Sequence, residues 1–295
     1  MKKIKIKKMT IIASCVFLLA LIAAGCGKKE PSEGFNSDND ITVVARDAAS
    51  GTRGAFHEIM GIKQKQGNEE VDNLVVGALE FDGTDKVITA VEGDSYGIGY
   101  ISLGSISERI KAVKVDGAEP TVENVLSGEY PISRPFLLVT KGSESDLVKD
   151  FLDFAQSTQG QQITTEMNFI GAAESSSEYT ASGMLGTIKI AGSTSVTPLM
   201  EKLQEAYIKL NPDVNFEMQS NGSSQGIKAA IDGSYDIGMS SRELKDDEAS
   251  QLNRHILAID GIAVIVNREN PVDNLKSQDI TGIYTGEITR WSEVK

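Results

Sequence analysis

The chain has 295 residues with 29 Lys and Arg against 42 Asp and Glu, and five of those basic residues crowd into Met1–Lys8, so the chain beyond Lys8 carries 24 basic and 42 acidic side chains, a formal net charge of −18. That balance excludes nucleic acid as a partner and gives no long-range attraction for anions. Two His and two Cys in the whole chain leave no material for a His/Cys metal cluster or a disulfide framework.

The basic Met1–Lys8, the apolar run Ile11–Ala24 and the small residues Ala23-Ala24-Gly25 before Cys26 form an export signal over residues 1–25. The run ending in Ala-Ala-Gly-Cys resembles a bacterial lipoprotein signal, which implies that Cys26 is lipidated and becomes the mature N-terminus on the extracytoplasmic face of the cell membrane. An uncleaved anchor with an incidental Cys is the other reading. Residues 26–40, polar and turn-rich, make a tether from membrane to domain.

Beyond the tether, strands and helices alternate. Ile41–Ala45 is a predicted strand, Thr52–Met60 a helix, Leu74–Ala78 a strand and Thr84–Val91 a helix. Tyr96–Ile101, Ala112–Val115 and Phe136–Thr140 read as strands, and Asp146–Ser157 as a helix with Leu147, Phe151, Phe154 and Ala155 at helical spacing. A Ser/Gly-rich linker spans Ala172–Gly186. Strand Thr187–Ala191 then leads into helix Pro198–Leu210, with Thr197 as its expected N-cap. Strand Asn215–Gln219, helix Gln225–Asp232 and strand Tyr235–Met239 come next, and the nearly continuous apolar run Ile256–Asn267 predicts a strand covered on both faces. The alternation predicts an α/β fold with mostly parallel or mixed sheets.

Three segments place Gly, Ser and Thr directly before a predicted helix: Ala45–Arg53, Ala191–Pro198 and Ser220–Lys228. The first turn of a helix carries unpaired N–H groups and partial positive charge, so such a start can seat an anion. Any one of these hydroxyls is by default a cap or turn residue. Three such starts in one chain point jointly to one oxyanion site.

These segments, with Asp236–Leu244, Asp260–Asn267 and Ile283–Val294, resemble the phosphate-binding proteins of bacterial ABC importers, and the likeness covers nearly all of the chain beyond the signal. The resemblance implies a two-lobed, type II periplasmic-binding-protein-like α/β fold whose lobes close on one phosphate about a hinge. The order of the motifs is rotated: the Arg46 motif comes first, whereas in the family it comes after the Gly286-Glu-Ile-Thr-Arg-Trp291 stretch. A circular permutation is therefore expected, with the family's termini joined through residues 172–186 and new ones opened between Trp291 and Ile41. One lobe becomes continuous over residues 134–260, and the other is split between 41–133 and 261–295. The crossovers near Arg134 and Asp260 are the expected hinge. A permuted monomer is expected; a rearranged gene whose halves swap between two chains is the alternative.

By resemblance, Thr194, Ser195 and Ser223 donate from one lobe and Ser50, Gly51 and Thr52 from the other, while Arg46 supplies fixed charge and Asp47 braces it. Some family members place a proton-accepting Asp where this chain has Ser241, followed by Arg242. Asp260 reads two ways, as a substitute acceptor for the ligand's proton or as a surface Asp at a strand start. Arg242 either binds the anion or pairs with Glu243. The implied function is capture of inorganic phosphate and delivery to the permease subunits of an ABC transporter, with no cofactor, metal or catalytic residue. Sulfate or another oxyanion is the rival ligand. The Gly222-Ser-Ser-Gln-Gly226 match to a nucleophile elbow offers Ser224 as a hydrolase serine, but its base would have to be His255, some 30 residues on, with little room for an acid between.

Overall fold

A computed structural model describes residues 34–66, 69–172 and 177–295. The expected export signal and Cys26 lie outside the described residues. Eight strands build the path of the main sheet: β1 Thr42–Arg46, β2 Leu79–Phe81, β3 Gly97–Ser102, β4 Ser133–Thr140, β5 Gly186–Gly192, β6 Val214–Ser220, β7 Ile237–Ser240 and β8 Asn253–Val266. The helices that concern the site and cores are α1 Gly51–Ile59, α2 Thr84–Glu92, α3 Asp146–Ala155, α4 Thr158–Glu166, α5 Thr197–Leu210, α6 Ser223–Asp232 and α7 Ser277–Thr285.

The strand order is β6-β5-β7-β4-β8-β3-β1-β2. Parallel pairs lie at both ends, β6-β5-β7 and β3-β1-β2, and the antiparallel strands β4 and β8 join them. Strand β8 changes partner partway: Asn253–Gly261 runs along β4, with Asp260 opposite Arg134, and Ile262–Val266 runs along β3, with Ile262 opposite Ser102. Each half of the sheet has its own core. One gathers Phe136, Phe151, Phe154, Ile190, Leu203 and Tyr207; the other gathers Val44, Val87, Val91, Ile101, Ala263 and Ile265. The second face of β4 carries Leu137 and Val139 against Ile227 of α6, which explains why Phe136–Val139 has no polar alternation.

Several elements differ from the sequence reading. Leu74–Ala78 is not a strand: the chain turns at Gly77 (φ 97°), leaves Val76 fully exposed, and pairs with β1 only from Leu79. Thr197 is the first helical residue rather than the cap, because Val196 takes that place and the Thr197 hydroxyl donates to Ser193 O at 3.0 Å, with the Ser220 hydroxyl 2.8 Å away. Helix α4 hides its signal by burying polar residues, with Thr164 Oγ1 donating to Gly160 O at 3.0 Å. Helix α7 is rich in Thr, Ile and Gly, yet Tyr284 anchors it by donating to Val44 O at 3.2 Å. Tertiary packing overrides weak propensity in both.

Two local features bear on chain organisation. Ile41 N donates to Thr289 O and Ser292 N donates to Ser37 O, each at 2.7 Å, so residues 37–41 lie beside 289–292. The described part of the predicted linker is docked rather than loose. The Tyr179 ring sits edge-on to Phe154 at 5.2 Å and near Tyr207 at 5.9 Å, and its hydroxyl donates to Asp150 at 2.5 Å while accepting from Asn211 at 2.9 Å. Tyr179→Ala should therefore cost roughly 2–4 kcal/mol in chemical denaturation. A loss below about 0.5 kcal/mol, as for an ordinary surface substitution, would show that this segment is only a tether.

Candidate functional site

The three predicted helix starts meet. After β1 the chain turns through Asp47–Ser50 into α1, whose cap Ser50 accepts from Arg53 N at 3.4 Å. Helix α6 starts after Gly222, held at φ 98°, where a Cβ would come within 3.0 Å of Ala49 O; Ser224 N donates to that same carbonyl at 3.1 Å. Helix α5 starts from the turn at Ser193, whose carbonyl accepts from Val196 N at 3.2 Å and Thr197 N at 3.1 Å. The approach is closest at Gly51. A Cβ there would lie 2.3 Å from Ser223 Oγ and 2.8 Å from Ser241 Oγ, so only glycine admits this contact.

Side chains cross between the two halves of the sheet at the same place. Arg46 Nη2 donates to Thr194 Oγ1 at 2.9 Å, and the hydroxyls of Thr52 and Ser195 lie 2.9 Å apart. Behind them, Ser193 Oγ donates to Ser241 Oγ at 2.9 Å, and Ser241 N donates to Ser223 Oγ at 3.0 Å. Arg46, Ser50, Thr52, Ser195, Ser223 and Ser241 are all buried. A cleft of about 720 Å³ opens alongside, with Ser50, Arg134, Ser224 and Arg242 on its walls.

Arg46 is braced by carbonyls rather than by Asp47. Its Nε donates to Phe81 O at 3.2 Å and its Nη2 to Asp82 O at 3.1 Å, while its backbone N–H donates to Tyr100 Oη at 3.1 Å. Burial depresses its pKa from the ordinary arginine range, with the charge of Arg134 acting in the same direction. A guanidinium still keeps its proton there, because its unperturbed pKa is so high.

The remaining candidates separate. Asp260 is buried, and its two oxygens accept from Ser102 Oγ at 2.9 Å and Arg134 Nη2 at 3.0 Å. It is therefore neither a surface residue nor hydrogen-bonded to the helix-start hydroxyls, where direct acceptance of a ligand proton would put it. Burial pushes its pKa up to about 6, partly offset by Arg134 and the Ser102 hydrogen bond. Arg242 is committed to Glu248 through two hydrogen bonds of 2.7 and 2.8 Å; it reaches only the backbone carbonyl of Glu243, whose carboxylate pairs with Arg254. The histidine needed by a Ser224 hydrolase is engaged elsewhere: His255 faces Glu144 and Thr140, and His57 faces Asp72 and Tyr100. Sequence reasoning passed over Ser193, Tyr100, Ser102 and Arg134. Ser193 sits inside the Ala191–Pro198 motif, whereas the other three lie on strands β3 and β4 outside any of the quoted motifs and offered no local signal.

What these groups can do is bind. Three helix starts, clustered buried hydroxyls and the Arg46 guanidinium surround one confined point, a donor set suited to a small tetrahedral oxyanion. The chain belongs to the PBP (periplasmic-binding-protein) superfamily: the model described as "PBP superfamily domain" matches residues 24–159 and 172–295. The phosphate-binding protein PstS 2 of Streptococcus pneumoniae TIGR4 is 41% identical over 291 residues, covering 99% of this chain and all of the relative. A crystal structure of a phosphate-binding protein of a phosphate ABC transporter, from the same organism, superposes with a TM-score of 0.72 at 44% identity, covering 87% of this chain and all of that one. The phosphate-binding protein PstS of Staphylococcus saprophyticus is 34% identical over 117 residues, covering 37% of each chain.

Two outcomes check this geometry. Gly51→Ala should destabilise the protein by roughly 1–3 kcal/mol in thermal or chemical unfolding, since the added methyl meets Ser223 and Ser241. Gly54→Ala on the same helix, where a Cβ meets only the flexible Arg242 side chain at 3.2 Å, should be neutral or slightly stabilising. The Asp260 carboxyl binds its proton more tightly folded than unfolded, so its charged form costs stability above about pH 6 and that cost disappears as the pH falls through 6 toward 4. Stability profiles of wild type and Asp260→Asn measured between pH 4 and 8 should differ in slope in that window, by a total on the order of 2 kcal/mol; parallel profiles would contradict it.

Proposed function

We propose that this chain captures inorganic phosphate between two lobes and delivers it to the permease subunits of an ABC transporter. The observation that carries the reading is the meeting of Arg46 and Thr52 from one half of the sheet with Thr194 and Ser195 from the other. A ligand bridging the same residues links the halves, and closure buries it. The relatives' phosphate-binding names support the choice of anion. The phosphate ligands in this reading are Arg46, Ser50, Gly51, Thr52, Thr194, Ser195, Ser223 and Ser241, with Asp260 acting through Arg134. The protein is held at the extracytoplasmic face of the cell membrane by a lipid on Cys26; palmitate incorporation lost in Cys26→Ala would support that attachment, and incorporation unchanged would refute it.

The lobes are taken as residues 134–260 and as 41–133 with 261–295, hinged where β8 leaves β4 for β3. The chain order is read as a circular permutation. Three features support it: the rotated motifs, the contact between residues 37–41 and 289–292, and the similarity to the staphylococcal protein, which is confined to 37% of each chain although the full-length relative aligns end to end. A chain opened between residues 172 and 186 and joined from Lys295 to Ser37 through a short Gly/Ser linker should fold and bind phosphate within about tenfold of the parent. Failure of that chain to fold would contradict the permuted reading.

Calorimetry on the purified protein with phosphate, sulfate and molybdate tests the function itself. Phosphate should bind tightly, and Arg46→Met should weaken it at least about 100-fold, since several charge-assisted hydrogen bonds are lost together. Absence of phosphate binding, or tighter binding of sulfate, would overturn the assignment.

A further inference from the structure

One buried charge is left over by the site as described. The Arg134 side chain is 1% exposed and its partner Asp260 is 0% exposed, so neither charge is solvated. Asp260 takes a single hydrogen bond from it, through Nη2 at 3.0 Å, and the Phe136 ring lies 5.5 Å from its Cζ. Among the described residues, Arg134 Nε and Nη1 have no hydrogen-bond partner. Those two nitrogens carry three N–H groups. Buried guanidinium donors without acceptors are among the costliest groups a fold can contain, which is why nearly all are satisfied.

The position is informative. Arg134 borders the same cleft as Ser50 and Ser224, next to the α1 and α6 starts. Ser102, which fixes the other oxygen of Asp260, lies two residues along β3 from Tyr100, which accepts from Arg46 N. The path Arg46–Tyr100–Ser102–Asp260–Arg134 thus runs across the floor between the halves, with Arg134 crossing the point where β8 changes partner. Along it stand two buried cations and one buried carboxylate, a surplus of positive charge at the one place built to receive an anion.

We propose that Arg134 is a second cationic ligand of the bound oxyanion, offering it an unpartnered N–H group while Asp260 holds the guanidinium by Nη2. Asp260 is then a positioning residue. The donor set gains a second guanidinium, and the bound anion meets the surplus positive charge along this path. This inference rests on the phosphate-binding reading and goes beyond it in naming a ligand outside the helix-start motifs.

The test compares the purified wild type with Arg134→Lys and with the double variant Arg134→Met/Asp260→Leu, in which no buried charge is stranded. Phosphate affinity is measured by calorimetry, and phosphate-free stability by denaturation. The double variant should keep wild-type stability or exceed it, yet bind phosphate roughly 10- to 100-fold more weakly. Arg134→Lys, which retains charge but loses the planar guanidinium and its Nε donor, should fall between the two. If Arg134 serves only to neutralise Asp260, the double variant binds phosphate within threefold of wild type, and that result overturns the proposal. Should the double variant fail to fold, Arg134→Lys decides alone: affinity within threefold of wild type overturns the proposal. Wild type that does not bind phosphate removes the functional reading itself, whereas tight wild-type binding unchanged in the variants removes only Arg134.

Discussion

The arrangement turns on how one guanidinium is held. Arg46 sits at the end of β1 with backbone carbonyls of Phe81 and Asp82 fixing its fork, and the remaining reach of Nη2 crosses to Thr194 in the other half of the sheet. A buried cation is costly without acceptors, and around Arg46 they gather. The helix starts of α1, α5 and α6 converge there, and the absence of a side chain at Gly51 lets them approach within contact of Ser223 and Ser241. The sheet topology serves the same end: β4 and β8 carry the chain between two parallel blocks, leaving the carboxyl ends of β1, β5 and β7 facing one another.

This explains how a chain with a net charge of −18 outside its basic N-terminus can serve an anion. Surface carboxylates are screened over about 8–10 Å in physiological salt, so their repulsion governs approach rather than the bound state. Inside the cleft the balance is set by helix N-terminal dipoles, hydroxyls and buried arginines in low dielectric, where each charge-assisted hydrogen bond counts for more than in water. Selectivity among oxyanions then depends on acceptors as well as donors. With Asp260 paired to Arg134 and Ser102, the acceptors offered by the proposed site are hydroxyl oxygens such as those of Ser223 and Ser241, which can both donate and accept.

Much of this was legible in the sequence because its determinants are local. The Gly/Ser/Thr starts of α1, α5 and α6 read correctly as helix N-termini, since small hydroxyl residues before an apolar period have few other uses. The apolar run in β8 read as a strand for the same reason. What could not be read depended on strand neighbours far apart in the chain. The Arg134–Asp260 pair spans 126 residues, and Asp260 taken alone is equally a surface residue or a buried one. Arg242 resolved toward Glu248, six residues on, because a short helical turn brings that carboxylate round while Glu243 points to Arg254. The Tyr179 anchor escaped notice since Ser- and Gly-rich composition predicts flexibility, and one aromatic ring hydrogen-bonded to the half-buried Asp150 overrides it.

The most direct test of the central claim, that these helix starts and Arg46 form one oxyanion seat, is a crystal structure of the protein grown with phosphate. The account predicts one tetrahedral anion between Arg46 and the starts of α1, α5 and α6, accepting hydrogen bonds from the Arg46 guanidinium and from Thr52, Ser195 and Ser223. An anion bound elsewhere, with Arg46 still donating to Thr194 and the three helix starts untouched by ligand, would contradict it.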